Sequence, residues 1–269
     1  MHIAVIVTTY NRPDALAAIF ESYLAQTDCD FEIVIADDGS TPETTSVIKK
    51  YQARASFKIS HVWQEDRGFR AAAARNRALA EIDARYVIFT DGDCVPMPDF
   101  VAQHRQLAEL GWFVTGNRVL LSSGFTKKVL KDTLPIYNWS WLQWLAIWAK
   151  RDINRLLPLL RLGDGQWRKH EPQRWRGAKT CNLAVWRTDL LQVNGFDESY
   201  SGWGLEDSDL IIRLLHSDIC HKNGRFATPL FHLWHSENDR SLLSENQRRL
   251  NDLLASDCFL ADRGLNQYL

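Results

Sequence analysis

The stretch Arg85-Tyr86-Val87-Ile88-Phe89-Thr90-Asp91-Gly92-Asp93 decides the fold class. An unbroken apolar run ending in acids and a glycine describes a strand buried on both faces, as in a parallel sheet. Upstream, Ala71–Ile82 is an alanine-rich helical stretch, preceded by a strand at Phe57–Trp63. Further out, Ile3–Thr8 and Phe31–Ala36 repeat the buried-strand pattern, and each is followed by a proline-led helix. The helix after Pro13 carries Leu16, Ile19, Phe20 and Tyr23 at three- and four-residue spacing, and the next starts near Pro42. Strand–helix alternation implies right-handed crossovers and a mostly parallel central sheet flanked by helices. The expected class is α/β.

In such sheets ligands bind beyond the carboxyl ends of the strands. Three polar clusters fall there: Thr8–Asn11, Asp37–Ser40 and Asp91–Asp93. Asp91 and Asp93, separated by a glycine, are able to turn toward one divalent ion, Mn²⁺ or Mg²⁺, that a diphosphate also ligates. A plain turn with two solvated acids is the alternative for so short a motif. A carboxylate in Asp37-Asp38 is suited to accept from the N3–H of uracil, with Thr9 and Tyr10 as a neighbouring wall; Ser40 equally suits a helix cap. Arg75, on the helix before the acidic loop, is a candidate partner for uracil or diphosphate.

The second half has a different character. Between Phe125 and Thr180 there are twelve Lys/Arg against four Asp/Glu, and six of the eleven tryptophans lie there. We expect an inserted, basic, Trp-rich helical lobe, with Trp139–Leu160 as one helix lying in a membrane interface. Lys150, Arg151, Arg155 and Arg161 would then face anionic lipid; a packed lobe with buried tryptophans is the alternative. Beyond it come a strand at Asn182–Trp186, a helix opening at Glu206-Asp207, a strand at about Phe226–Leu233 and a helical tail from Ser244. Glu206 and Asp207 fit simple helix-start acids, yet the same dipole holds a carboxylate ionised, as a general base requires. Gly202-Trp203-Gly204 ahead of them offers a bend with an aromatic platform for a sugar. His232 and His235 close the last strand. Alternation puts residues three apart on opposite faces, so both reach one ion only if the strand ends between them, and His232 is preferred.

The 269 residues carry 32 Lys/Arg and 33 Asp/Glu, a formal net charge of -1, which gives no sign of nucleic-acid binding. Five scattered cysteines without a CxxC pair speak against a zinc ribbon or a disulfide framework and for a reducing cytoplasm. The amino terminus lacks the basic start of a signal peptide, and no uncharged apolar run is long enough to span a bilayer. The expected location is cytoplasmic, with peripheral contact at the inner face of the cytoplasmic membrane.

Several of these motifs in order resemble the family 2 inverting glycosyltransferases of GT-A fold. They are Val7-Thr8-Thr9-Tyr10-Asn11-Arg12-Pro13, Ala36-Asp37-Asp38-Gly39-Ser40, Gly68-Phe69-Arg70 with Ala74-Arg75-Asn76, and Asp91-Gly92-Asp93. The stretch from Gly195-Phe196-Asp197-Glu198 to Gly202-Trp203-Gly204-Leu205-Glu206-Asp207 resembles the galactosyltransferase-like region of bacterial chondroitin polymerase and animal β-1,4-galactosyltransferases. The resemblance implies that Asp38 binds uracil, that Thr9, Tyr10, Asn11, Arg75 and Asp91 line the nucleotide, and that Asp93 ligates metal with a downstream histidine. It leaves His232 and His235 undecided. It further implies Asp207 as catalytic base, with Glu206 and Trp203 on the acceptor. Leu205 stands where relatives often carry glycine, and Ser208 where some carry a third acid. The implied organisation is a nucleotide-sugar half at 1–124, the basic lobe at 125–180 and an acceptor and catalytic half at 181–269. The implied reaction moves a sugar from a UDP-sugar to a carbohydrate or lipid-linked glycan acceptor in lipopolysaccharide, capsule or other envelope glycan synthesis.

Two other readings compete. A sugar-nucleotide pyrophosphorylase needs a glycine-rich loop after the first strand, and Thr8-Thr9-Tyr10-Asn11-Arg12 has none. A non-catalytic carbohydrate- or lipid-binding protein on the same scaffold has no need of Asp93, Asp207 and His232 together.

Overall fold

The computed structural model describes residues 1–236 and 239–269. Among these, the strands are β1 (Ile3–Thr9), β2 (Phe31–Asp37), β3 (Ile59–Trp63), β4 (Tyr86–Asp91), β5 (Cys94–Pro96), β6 (Trp112–Thr115), β7 (Arg118–Leu120), β8 (Asn182–Trp186), β9 (Cys220–Asn223) and β10 (Leu230–His232). The helices are α1 (Pro13–Leu24), α2 (Pro42–Gln52), α3 (Ala71–Ala80), α4 (Phe100–Leu107), α5 (Ser123–Lys131), α6 (Trp141–Ala149), α7 (Arg187–Gln192), α8 (Glu206–His216) and α9 (Leu243–Leu254).

β4 lies in the middle of a seven-stranded sheet of order β3-β2-β1-β4-β8-β6-β9. β1, β2, β3 and β4 run parallel. β8 is antiparallel to both β4 and β6, and β6 is parallel to β9. Two reversals restore direction, so β6 and β9 point their carboxyl ends to the same edge as β1, β2 and β4. Strand alternation then builds two cores. Ile3, Val5, Val7 and Ile88 pack with Leu16, Ile19, Phe20, Ile48 and Tyr51 of α1 and α2. Ala4, Ile6, Val87 and Phe89 pack on the opposite face with Ala74, Ala78 and Leu79 of α3 and Leu210, Ile211 and Leu214 of α8. The alanines let α3 approach the sheet closely, and that closeness brings Arg75 to the strand ends.

A second, three-stranded sheet has order β5-β10-β7. β5 continues directly from the acidic loop and pairs antiparallel with β10, Cys94 opposite His232. This small sheet was not apparent from sequence, because three-residue strands leave no readable period. Two boundaries also change. The strand expected at Phe226–Leu233 shrinks to Leu230–His232, since Phe226 takes a left-handed conformation (φ 62). The single helix expected over Trp139–Leu160 does not form: α6 ends at Ala149, and Arg151 (φ 61) turns the chain back so that Ile153 bridges Leu121.

Candidate functional site

The register of the parallel strands sets the site. Thr8 lies opposite Asp91, and Thr9 opposite Asp37. The Gly92 N–H donates to the Thr8 carbonyl at 2.7 Å. A Cβ at Gly92 would come within 2.9 Å of Thr9 Oγ1 and 3.0 Å of the Thr8 carbonyl, so this close approach requires glycine.

Arg75 is the hub. It is buried, and its guanidinium donates to Thr8 Oγ1 (3.0 Å), Asp91 Oδ1 (3.2 Å) and Glu206 Oε1 (3.2 Å). The guanidinium also packs 5.4 Å from the Phe196 ring centroid. Burial works against its charge, but Asp91, Glu206 and Asp207 outweigh that and raise its pKa. One side chain thus ties β1, the acidic loop and the start of α8 into one cleft.

Asp38 is buried at the end of β2. Its Oδ1 accepts from Gln64 Nε2 and its Oδ2 from the Arg70 N–H, both at 2.6 Å. Burial pushes the Asp38 carboxyl above its ordinary value in spite of these bonds. Beside it, a cavity of about 310 Å³ is lined by Tyr10, Asp38, Gly68, Phe69, Trp203 and Leu242 among others. Tyr10 is half exposed and donates to Asp66 Oδ2 at 2.9 Å, whereas Thr9 Oγ1 is buried with no hydrogen-bond partner. Asn11 takes a left-handed conformation (φ 49) and is occupied with the neighbouring loop. Its N–H donates to Ser40 Oγ and its Oδ1 accepts from the Thr41 N–H, each at 2.9 Å.

Both imidazoles meet Asp93. His232 Nε2 lies 3.7 Å from Asp93 Oδ1, and His235 Nε2 lies 3.4 Å from Oδ2. This is possible because β10 stops at His232, which frees the next three residues from strand alternation. Burial lowers the His232 pKa, favouring the neutral ring that a metal ligand must be. Atoms bound about 2.1 Å from one ion lie at most roughly 4 Å apart. Asp93 meets that limit with either imidazole, and Asp93, Cys94 and His232 form a group with ligand atoms within 4.8 Å of one another, so the arrangement suits a cation held by Asp93 and one imidazole. A mixed oxygen–nitrogen set of this kind suits Mn²⁺ better than Mg²⁺.

α8 starts from a strained turn. Gly202 (φ 68), Gly204 (φ 107) and Leu205 (φ 76) are all left-handed. A leucine in that region costs about 1–2 kcal/mol, a cost that glycine would not carry. Asp207 Oδ1 accepts from its neighbour Ser208 N–H at 2.8 Å, and Oδ2 faces Lys179 Nζ at 3.8 Å. Burial, followed by the charge of Asp207, raises the Glu206 pKa against the pull of Arg75. Trp203 stands over the cavity with the Arg240 guanidinium 5.1 Å from its ring.

Lys179, Gln64 and the buried thiols Cys94 and Cys181 belong to this neighbourhood and were not singled out from sequence. Cys94 and Cys181 sit close to Asp91, and Cys94 also to Asp93 and His232. Lys179 belongs to the basic segment, but no spacing distinguishes it there from eleven other cations.

A profile described as glycosyl transferase family 2 matches residues 4–165, and one described as the N-terminal domain of galactosyltransferase matches 167–235. Validoxylamine A glucosyltransferase of Streptomyces hygroscopicus subsp. jinggangensis is 29% identical over 79% of this chain and 51% of its own length. Hyaluronan synthase of Pasteurella multocida is 36% identical over 79% of this chain and 22% of its own. This chain therefore spans about half, or less, of these curated relatives. Among solved structures, the mannosyltransferase PcManGT of Pyrobaculum calidifontis, in complex with GDP-Man and Mn²⁺, superposes with a TM-score of 0.61 at 18% identity, covering 92% of this chain and 60% of that one. S. aureus TarS in complex with UDP-GlcNAc gives 0.60 at 15%, covering 100% and 69%. These likenesses establish the GT-A fold. The family profile spans more than half of the 269 residues and takes in the ends of β1, β2 and β4 with Arg75, so the chain belongs to glycosyl transferase family 2.

Proposed function

We infer that the chain transfers a sugar from a UDP-sugar to a carbohydrate acceptor, inverting the anomeric carbon, with a divalent metal at Asp93. The observation that carries this reading is Arg75 bridging Asp91 and Glu206, because it sets the acidic loop and the start of α8 on one cleft. Asp38 accepts from the N3–H of uracil, with Thr9 and Tyr10 as the wall. Asn11 acts on the nucleotide by fixing the loop after β2. Asp93 with one of His232 and His235 would hold Mn²⁺ or Mg²⁺, and a bound ion there would supply charge neutralisation for the departing diphosphate.

Asp207 takes the proton of the attacking acceptor hydroxyl. Its Oδ1 is engaged by the Ser208 N–H, which leaves Oδ2 to receive that proton. Glu206, fixed by Arg75, orients the acceptor, and Trp203 carries the flat face of a sugar. Asp207→Asn should lower turnover by about 10²–10⁴-fold with nucleotide binding retained. The assay is UDP release from UDP-sugars with Mn²⁺, with and without chelator. Unchanged turnover in the variant removes Asp207 from the reaction, and chelator-resistant release removes the metal.

The acceptor in this reading is a lipid-linked glycan of the cell envelope, such as lipopolysaccharide or capsule, met at the cytoplasmic face of the membrane. The exposed side of α6 supports it: Leu142 is 75% exposed, Trp148 46% and Trp141 44%. Lys150 and Arg151 follow directly at the end of that helix. Arg161 is instead ion-paired with Asp99 at 2.8 Å, and Arg155 donates to the Arg118 carbonyl. Trp144, on the inner side of α6, is buried against Phe231. No helix among the described residues is long and apolar enough to cross a membrane, so the contact is peripheral. Co-sedimentation with liposomes should rise with anionic lipid content; no dependence on it counts against the contact.

A further inference from the structure

A second concavity opens on the same sheet edge as the cleft. It lies at the carboxyl ends of β6 and β9 and is lined by Thr115, Asn223, Arg225 and the loop carrying Arg174, Arg176 and Ala178, among others. Its volume is about 40 Å³. At roughly 10–15 Å³ per water-sized occupant, that is room for a single small group and not for a sugar ring.

The charge of the lining is one-sided. Arg174 is ion-paired with Glu171. Among the described residues no carboxylate lies within ion-pair distance of Arg176 or Arg225, which pack on aromatic rings instead. The Arg176 guanidinium sits 4.8 Å from the Trp175 ring centroid, and that of Arg225 5.6 Å from Phe226. Stacking of this kind restricts a guanidinium while leaving its N–H fork free for an anion. The loop itself is tied down: the His221 N–H donates to the Pro172 carbonyl at 2.7 Å, and His221 Nε2 meets Thr115 Oγ1 at 2.7 Å.

Ala178, in the wall of this pocket, is followed by Lys179, whose Nζ is 3.8 Å from Asp207 Oδ2. The chain thus passes in one residue from the pocket wall to a cation beside the carboxylate that takes the acceptor's proton. We propose that the Arg174–Arg176–Arg225 pocket is an acceptor subsite that holds one anionic group, a carboxylate or a phosphoryl, carried by the glycan that Asp207 activates. The assignment to the acceptor rests on the reading of Asp207 given above; the anion site itself does not. Forked guanidinium donors are the chemistry that recognises both groups.

The test has two arms, each on the wild type, R176A/R225A and D207N, with thermal midpoints measured first to show that the variants fold. In the first arm, sulfate and acetate are titrated at constant ionic strength against chloride and followed by NMR of the arginine Nε–Hε resonances. Saturable binding by the wild type, weakened at least tenfold in R176A/R225A and kept in D207N, is expected. Binding that is absent from the wild type, or equal in the double variant, overturns the site. The second arm compares oligosaccharide acceptors bearing a uronate or a phosphate with their neutral counterparts, and UDP release without acceptor serves as control. The wild type should show a KM at least tenfold lower for one of the two anionic acceptors, and which one it is identifies the group. R176A/R225A should lose that preference yet keep acceptor-independent UDP release. A preference of equal size in both proteins, or none in either, sinks the subsite. Full turnover by D207N would sink the Asp207 reading alone, since the anion titration does not depend on it.

Discussion

The two sides of the cleft are made of different material. On the donor side, Thr9 and Asp91 terminate strands and Asp38 directly follows one; these strands are almost wholly buried, and the positions follow from sheet register. On the acceptor side, Trp203, Glu206 and Asp207 hang from a turn with three left-handed residues, Gly202, Gly204 and Leu205, of which only Leu205 has a side chain unsuited to that conformation. His232 and His235 likewise follow a three-residue strand. Register is a cooperative property of the sheet, whereas a turn is set locally. Substitutions on the donor side should therefore cost stability as well as activity, and those on the acceptor side activity alone.

Arg75 joins the two sides and should give the largest effect. Arg75→Met leaves Asp91 and Glu206 in a buried cluster without their cation, a change of about 3–5 kcal/mol. We expect a fall in thermal midpoint of about 6–20 °C by the usual size scaling, together with loss of turnover. A variant that kept its midpoint would show that the two sides are not held together through this residue. Next in size is Gly92→Ala, where the added methyl meets backbone and the Thr9 side chain at 2.9–3.0 Å. Overpacking of this kind costs about 1–3 kcal/mol. Chemical denaturation should detect it, and Asp207→Asn should show no comparable loss of stability despite its greater effect on turnover.

The same division governs what was legible from sequence. β1, β2, β4, α1 and α3 fall within two residues of their expected bounds, because long buried runs and proline-led helices carry strong local signals. The approach of Arg75 to Asp91 is also a consequence of that alternation. On the other side, β5, β7 and β10 are too short to have a period, and β8 is antiparallel, a direction that a five-residue strand does not encode. The placement of both imidazoles on Asp93 depends on where β10 stops, and the left-handed Phe226 that shortens it has no sequence signature. α6 ends early for a similar reason, since the turn at Arg151 is enforced by the bridge from Ile153 to Leu121 and by no glycine or proline.

A smaller effect tests the electrostatics of the acceptor side. Burial and Asp207 raise the Glu206 pKa, so the fold favours its protonated form. The stability this group contributes is complete below the unfolded value of about 4.3 and is lost as pH rises through the folded one. Glu206→Gln removes that dependence. Its thermal midpoint should match the wild type near pH 4 and exceed it increasingly toward pH 7. Parallel curves for the two proteins would mean that Arg75 compensates the ionised carboxylate fully.

The smallest effect comes from Leu205, and it separates strain from function. Its left-handed conformation costs about 1–2 kcal/mol, and glycine removes that cost while adding about 0.4–1 kcal/mol of unfolded-state entropy. Leu205→Gly should therefore stabilise by about 1 kcal/mol or less, raising the midpoint by no more than about 4 °C. If the turn is fixed by Gly202 and Gly204, turnover stays as it was, and the leucine is only a tolerated departure. If turnover falls while stability rises, the leucine side chain is holding Trp203 or the acceptor, and the strain is retained for that contact. The second outcome would mean that turn-built walls, like register-built ones, couple stability to activity, and the contrast between the two sides of the cleft would fail at this residue.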